Sequence, residues 1–151
     1  MKTMKQLSVF LINKPGILAQ VLNELAKGKV NIIAMTMMDS VEHGVLRLVP
    51  AEPDHACLII EKINLQVNLT DVLCVTMSNK PGAMADVASK LSEHHINITY
   101  CYVTSGAGGG KTNGIFKVAD IKKAIKVLEG NAANAKTPAK TSARKKPRLQ
   151  R

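Results

Sequence analysis

The sequence predicts an α+β chain of two consecutive βαββαβ units followed by a basic tail. Three observations predict it: an internal repeat at a spacing of 66 residues, a change of hydrophobic period within each copy, and a concentration of cations at the end. The shift of 66 places Asn13-Lys14-Pro15-Gly16 on Asn79-Lys80-Pro81-Gly82 and Val30-Asn31-Ile32 on Ile96-Asn97-Ile98. Ten of the 24 positions from 9 to 32 are identical at that shift, too many for chance, so the chain carries one unit twice.

Each copy opens with a short apolar run, Leu7 to Ile12 or Val72 to Met77, which reads as a strand. The Asn-Lys-Pro-Gly turn stops it, because Pro fixes φ and Gly relaxes it. Leu18, Val21, Leu22 and Leu25 then recur at i, i+3, i+4 and i+7, as do Met84, Val87, Ala88 and Leu91, so a helix with one buried face follows in each copy. The β-branched runs Val30 to Met38 and Ile96 to Val103, each followed by polar breakers and a second run (Val45 to Val49, Ile115 to Val118), read as hairpins. A second amphipathic helix is marked by Ala56, Ile59, Ile60 and Ile63 in copy one and by Ile121, Ala124, Ile125 and Leu128 in copy two. Copy one closes with a strand near Leu65 to Leu69, whereas Gly130 to Ala135 has poor strand propensity. The order is the ferredoxin-like one, an antiparallel sheet with both helices on one face. Copy two is expected to lack its fourth strand, leaving a sheet edge that must be covered or paired.

The domain boundaries expected are 1–70 for module one, 71–130 for module two and 131–151 for a disordered tail, which is too polar and charged to order itself. Seven of the ten net positive charges belong to Lys136, Lys140, Arg144, Lys145, Lys146, Arg148 and Arg151. The folded part is therefore nearly neutral, and non-specific contact with nucleic acid or an acidic partner is a property expected of the tail. The tail also serves solubility in a second reading.

Cys57, Cys74 and Cys101 have no metal-ligand spacing and are read as reduced core residues, so no metal or other cofactor is expected. The apolar run at Leu7 is too short for a signal-peptide core and nothing is long enough to span a bilayer, which points to a cytoplasmic protein without membrane contact. Ser105 to Thr112 resembles a phosphate loop, but Ser105 stands where the first Gly belongs and the loop leads to a strand, so ATP binding is rejected for a hairpin loop. His94 and His95 fall at a helix end, and no nucleophile–base constellation is visible, so no enzymatic activity is expected.

The chemistry is concentrated in the repeated turn. The first amides of a helix lack intrahelical partners and carry partial positive charge, which suits a carboxylate. The donors expected are Gly16, Ile17 and Leu18 in copy one and Gly82, Ala83 and Met84 in copy two, with Asn13 and Asn79 adding side-chain amides. A well-formed helix start also explains the turn. Asn31 and Asn97, polar residues at the start of apolar strands, offer a second contact to an amino group or side chain, or serve only to start the strand.

The Asn-Lys-Pro-Gly turn, the following helix, the V/I-N-I strand and the βαββαβ order together resemble the ACT domain, the amino-acid-sensing module of many biosynthetic enzymes. The resemblance covers residues 5 to 130, in the arrangement of stand-alone tandem-ACT proteins. It implies paired sheets, a homodimer or higher homo-oligomer, and an amino acid or similar small carboxylate bound between modules. The residues it implicates are Asn13, Lys14, Pro15, Gly16, Ile17 and Leu18 with Asn79, Lys80, Pro81, Gly82, Ala83 and Met84, facing Asn31-Ile32 and Asn97-Ile98. Copy one, with the complete strand set, is the preferred site. A dimerising scaffold that presents the basic tail is the other function the sequence allows.

Overall fold

The computed structural model describes residues 1–39, 43–105 and 110–130. In chain order the elements are β1 (Lys2–Ile12), α1 (Ile17–Lys27), β2 (Ile32–Asp39), β3 (His43–Pro50), α2 (Pro53–Lys62), β4 (Val67–Ser78), α3 (Ala83–Glu93), β5 (Ile98–Ser105), β6 (Lys111–Val118) and α4 (Ile121–Gly130). All strand pairs are antiparallel, in one six-stranded sheet of order β2-β3-β1-β4-β6-β5. The fold is α+β, two ferredoxin-like modules in tandem, and each helix lies where its apolar spacing predicted.

The two modules share their central strands. The runs Leu65 to Leu69 and Val72 to Met77, expected as separate strands, are one strand, and β4 passes unbroken through the expected boundary between residues 70 and 71. Strand β1 begins five residues before the expected Leu7. Its added half, Lys2 to Gln6, pairs with Cys74 to Thr70, while Leu73 to Ser78 pair on their other side with Phe116 to Lys111. The first half of β1 thus occupies the position beside β4 that a fourth strand of copy two would take. An uncovered edge would present a row of unpaired N–H and C=O groups, and β1 satisfies them. Residues 131–135, where a fourth strand was expected to be missing, and the tail lie outside the described residues.

Side-chain alternation divides the sheet into a helix-bearing and a helix-free face. On the first, Leu7, Val9, Leu11, Leu46 and Leu48 pack with Val21 and Leu25 of α1 and Ala56 and Ile60 of α2. Leu73, Val75, Phe116 and Val118 pack with Val87, Leu91, Ala124 and Leu128 of the second helix pair. On the other face Ala34, Val49, Val72, Cys74 and Ile115 form a third apolar cluster, with Met4 and Tyr102 against it. Strands β2 and β5 stand at opposite ends of the strand order yet touch, so the sheet curls and its helix-free face closes partly on itself.

Of the three cysteines only Cys74 is buried in a core; Cys57 is half-buried on α2, and Cys101 is exposed on the edge strand β5. The expectation of three core cysteines is corrected for Cys101, because an edge strand has a neighbour on one side only. His94 caps the end of α3, its ring Nδ1 lying 3.0 Å from the Lys90 carbonyl oxygen, and His95 follows in a left-handed turn with φ 54°. Lys29, at the same place after α1, has φ 57°, so the repeat extends to the backbone of the turn.

Candidate functional site

The two Asn-Lys-Pro-Gly turns have the same geometry. The Lys14 N–H donates to the Ile12 carbonyl at 2.8 Å and the Ile17 N–H to the Lys14 carbonyl at 3.4 Å; in copy two Lys80 donates to Ser78 at 2.9 Å and Ala83 to Lys80 at 3.3 Å. Gly16 (φ 92°) and Gly82 (φ 87°) cap the helices in left-handed backbone, and a Cβ at either would meet nothing within 4 Å. Conformation, not space, is therefore what demands glycine here. Pro15 and Pro81 stand before the cap, outside the first helical turn.

The first intrahelical bonds run from Gln20 N–H to the Gly16 carbonyl and from Asp86 N–H to the Gly82 carbonyl, both at 2.9 Å. Ile17 and Ala83, expected to offer their amides to a ligand, use them within the turn. The helix amides left ahead of the first intrahelical donor are those of Leu18 and Ala19, and of Met84 and Ala85. Neither helix has a side-chain cap.

A cavity of 240 Å³ opens at the second turn, lined by Met77, Ser78, Asn79, Lys80, Gly82, Ala83, Met84, Ala85, Val103 and Thr112. Its volume corresponds to about eight waters of liquid. The helix start forms one wall, and Met77, Met84 and Val103 contribute an apolar surface. The Asn79 N–H donates to the Gly110 carbonyl at 2.9 Å, and Thr112 Oγ1 to the Thr104 carbonyl at 2.9 Å, which hold the turn and β6 in place. A larger, more open groove of 460 Å³ runs along Ala88, Ser92, His95, Ile96, Asn97 and Ile98. Neither cavity touches Asn13 to Leu18, the turn preferred from sequence. Asp86 lies in the first turn of α3, whereas α1 has no acid there, so electrostatics favours an anion at copy one while shape favours copy two.

Within each copy the turn does not meet the Asn-Ile element. Ile32 pairs with Pro50, and Leu48 pairs with Leu7, so Asn31 stands level with the Lys5 region of β1, some eight residues before Asn13. Ile98 pairs with Val118, and Phe116 with Leu73, so Asn97 is displaced equally from Asn79. At the rise of a β-strand each separation is roughly 25 Å. Asn31 is exposed, its carbonyl accepting from the Ala51 N–H at 2.9 Å, and Ile32 packs into the first core.

The sequence reading missed a polar centre between the halves of the curled sheet. Gln6 is fully buried; its amide nitrogen donates to Tyr100 Oη at 2.8 Å and Ser8 Oγ at 3.2 Å, and its carbonyl oxygen accepts from Tyr102 Oη at 3.1 Å. The Arg47 guanidinium lies 4.1 Å from the centre of the Tyr100 ring and also contacts Met38 Sδ. Burial pushes the Tyr102 phenol well above its ordinary range. The available signal was that Tyr100 and Tyr102, the only tyrosines, are two residues apart and so share one face of a strand.

The fold and the duplicated turn define a tandem of ferredoxin-like modules. The chain belongs to the ACT domain family in its paired form: the family described as ACT domain pair matches residues 2–135. Among solved structures it is similar to protein BT0572 of Bacteroides thetaiotaomicron, with 33% identity, TM-score 0.80, and coverage of 86% of this chain and 89% of that one. The regulatory subunit of aspartate kinase from Thermus thermophilus, in a ligand-free form, shares the fold at TM-score 0.64 with 12% identity, over 86% of this chain and 97% of the other. The corresponding subunit from Thermus flavus does so at TM-score 0.60 with 15% identity, over 87% and 94%. No curated protein matches the chain. No described helix is long and apolar enough to cross a membrane.

Proposed function

We propose that the chain is a non-catalytic regulatory protein that binds an amino acid or similar small carboxylate between ACT modules. The carrying observation is the cavity at Asn79 to Ala85, where the free amides of a helix start meet an apolar wall. The amides and the Lys80 ammonium offer a carboxylate receptor, and Met77, Met84 and Val103 offer contact to an uncharged side chain. Membership of the ACT family and the likeness in fold to regulatory subunits support the regulatory part of this reading.

The separation of roughly 25 Å between each turn and the Asn-Ile element of its own copy supports assembly. A site that joins Asn13 to Leu18 with Asn31-Ile32, or Asn79 to Met84 with Asn97-Ile98, draws its second wall from the other module or from another chain. A thermal-shift panel of the twenty amino acids tests the reading: one or a few are expected to raise the melting temperature in proportion to the logarithm of concentration above Kd. A flat response across the panel would remove the ligand from the proposal.

A further inference from the structure

On the helix-free face of copy one Ser8 pairs with Arg47 and Arg47 with Thr36, so the three stand side by side. The matching row of copy two is Cys74, Ile115 and Tyr102, in which Ile115 pairs with both of the others. Ile115 is fully buried and Cys74 nearly so. Copy two thus gives to an aliphatic side chain the place that copy one gives to a cation, and the strand geometry does not require Arg47. Drawing a guanidinium out of water costs free energy unless its N–H groups find acceptors.

Arg47 is half-buried. The Tyr100 ring, with its centre 4.1 Å away, takes up the face of the guanidinium and leaves the N–H donors along its edge. One of these meets Met38 Sδ, a weak acceptor. The ion pairs among the described residues are Lys5–Asp71 and Lys27–Glu24, so no carboxylate there meets Arg47. Two hydroxyls beside it are also left with a donor to spare. Gln6 Nε2 donates to Ser8 Oγ at 3.2 Å and to Tyr100 Oη at 2.8 Å, which uses each oxygen as an acceptor and leaves it its own proton. Among the described residues neither proton has an acceptor. The fully buried Gln6, its carbonyl oxygen occupied by Tyr102 Oη at 3.1 Å, fixes this polarity.

A guanidinium edge and two O–H donors with no acceptor of their own are the complement of an oxyanion. We propose that Arg47, Ser8 and Tyr100 form a receptor for the phosphate or carboxylate group of a small molecule. The planar guanidinium takes two oxygens of that group in parallel, and the hydroxyls donate to the same group. Ser8 and Arg47 belong to copy one and Tyr100 to copy two, so the bound anion links the copies across the curl of the sheet. The site is separate from both Asn-Lys-Pro-Gly turns: Ser8 stands five residues before Asn13, and none of the three residues lines the cavity at the second turn.

The test is an NMR titration of the full chain at constant ionic strength, with inorganic phosphate in one arm and acetate in the other, following the Arg47 Nε–H and the Ser8 amide. A saturable shift with at least one of them is expected, and the tighter of the two names the group. Arg47→Gln is expected to weaken binding about tenfold or more, and Arg47→Lys to weaken it as well, because the ammonium keeps the charge and loses the fork. The cations of the tail are the same in every variant, so their contribution stays constant. If Arg47→Gln does not fold, Arg47→Ile, which installs the residue type that copy two uses, replaces it. No saturable shift in either arm, or binding by Arg47→Gln equal to that of the wild type, overturns the proposal. The thermal response to amino acids is expected to be the same in Arg47→Gln as in the wild type, so failure of this site is told apart from failure of the turns.

Discussion

Gln6 and Tyr102, 96 positions apart in sequence, are joined by a hydrogen bond of 3.1 Å in which the phenol donates to a fully buried amide oxygen. Gln6 donates in turn to Tyr100, so one residue of β1 ties the central strands to the edge strand β5. Replacing Gln6 by Ala leaves both phenols without this partner. A stability loss of about 1–3 kcal/mol is expected from urea unfolding, greater than for the double change Tyr100→Phe with Tyr102→Phe measured against a Gln6→Ala background.

Tyr102 makes stability depend on pH at the alkaline end. Its folded pKa is raised, so its neutral form is favoured in the native state and the unfolded chain loses the proton first. The stabilisation is fully present below about pH 10, the unfolded phenol value, and is lost as pH rises toward the folded pKa. Unfolding midpoints between pH 9 and 11 are expected to fall, and Tyr102→Phe is expected to reduce that slope. An equal slope in the variant would assign the effect to other groups.

Removing residues 2–6 uncovers the edge of β4 from Thr70 to Cys74. The second module then loses the strand that completes its sheet, while Leu7 to Ile12 still pair with β3. Earlier loss of amide-exchange protection in β4 and β6 than in β2 and β3 is the expected result, together with a greater tendency to aggregate. Uniform protection across the sheet would show that β1 is dispensable to copy two.

Gly16→Ala and Gly82→Ala place an L side chain at φ 92° and 87°. No neighbour obstructs either Cβ, so each cost is conformational, about 1–2 kcal/mol in thermal or urea unfolding. Only Gly82→Ala alters a residue lining the described cavity, and weaker ligand response is expected from it beyond its effect on stability.

Deleting residues 131–151 removes seven cations and no acid. Retention on DNA at low salt is expected to fall sharply, with the remaining chain showing little salt dependence. Undiminished retention would place nucleic-acid contact on the folded part.

The sequence by itself determined the duplication, the four helices, the hairpins and the two turns, because these are local: periods of 3.6 or 2 residues and a Pro-Gly stop are written in adjacent positions. Gly16 and Gly82 were legible for the same reason. What only the tertiary structure decided is how the copies share a sheet. Lys2 to Gln6 has no apolar alternation to mark it as a strand, and it is one because β4 offers an unpaired edge. The pairing of Gln6 with the tyrosines, the exposure of Cys101, the cavity at the second turn and the distance from each turn to its Asn-Ile element likewise follow from register and curl. These relations depend on residues far apart along the chain, for which a local pattern carries no signal.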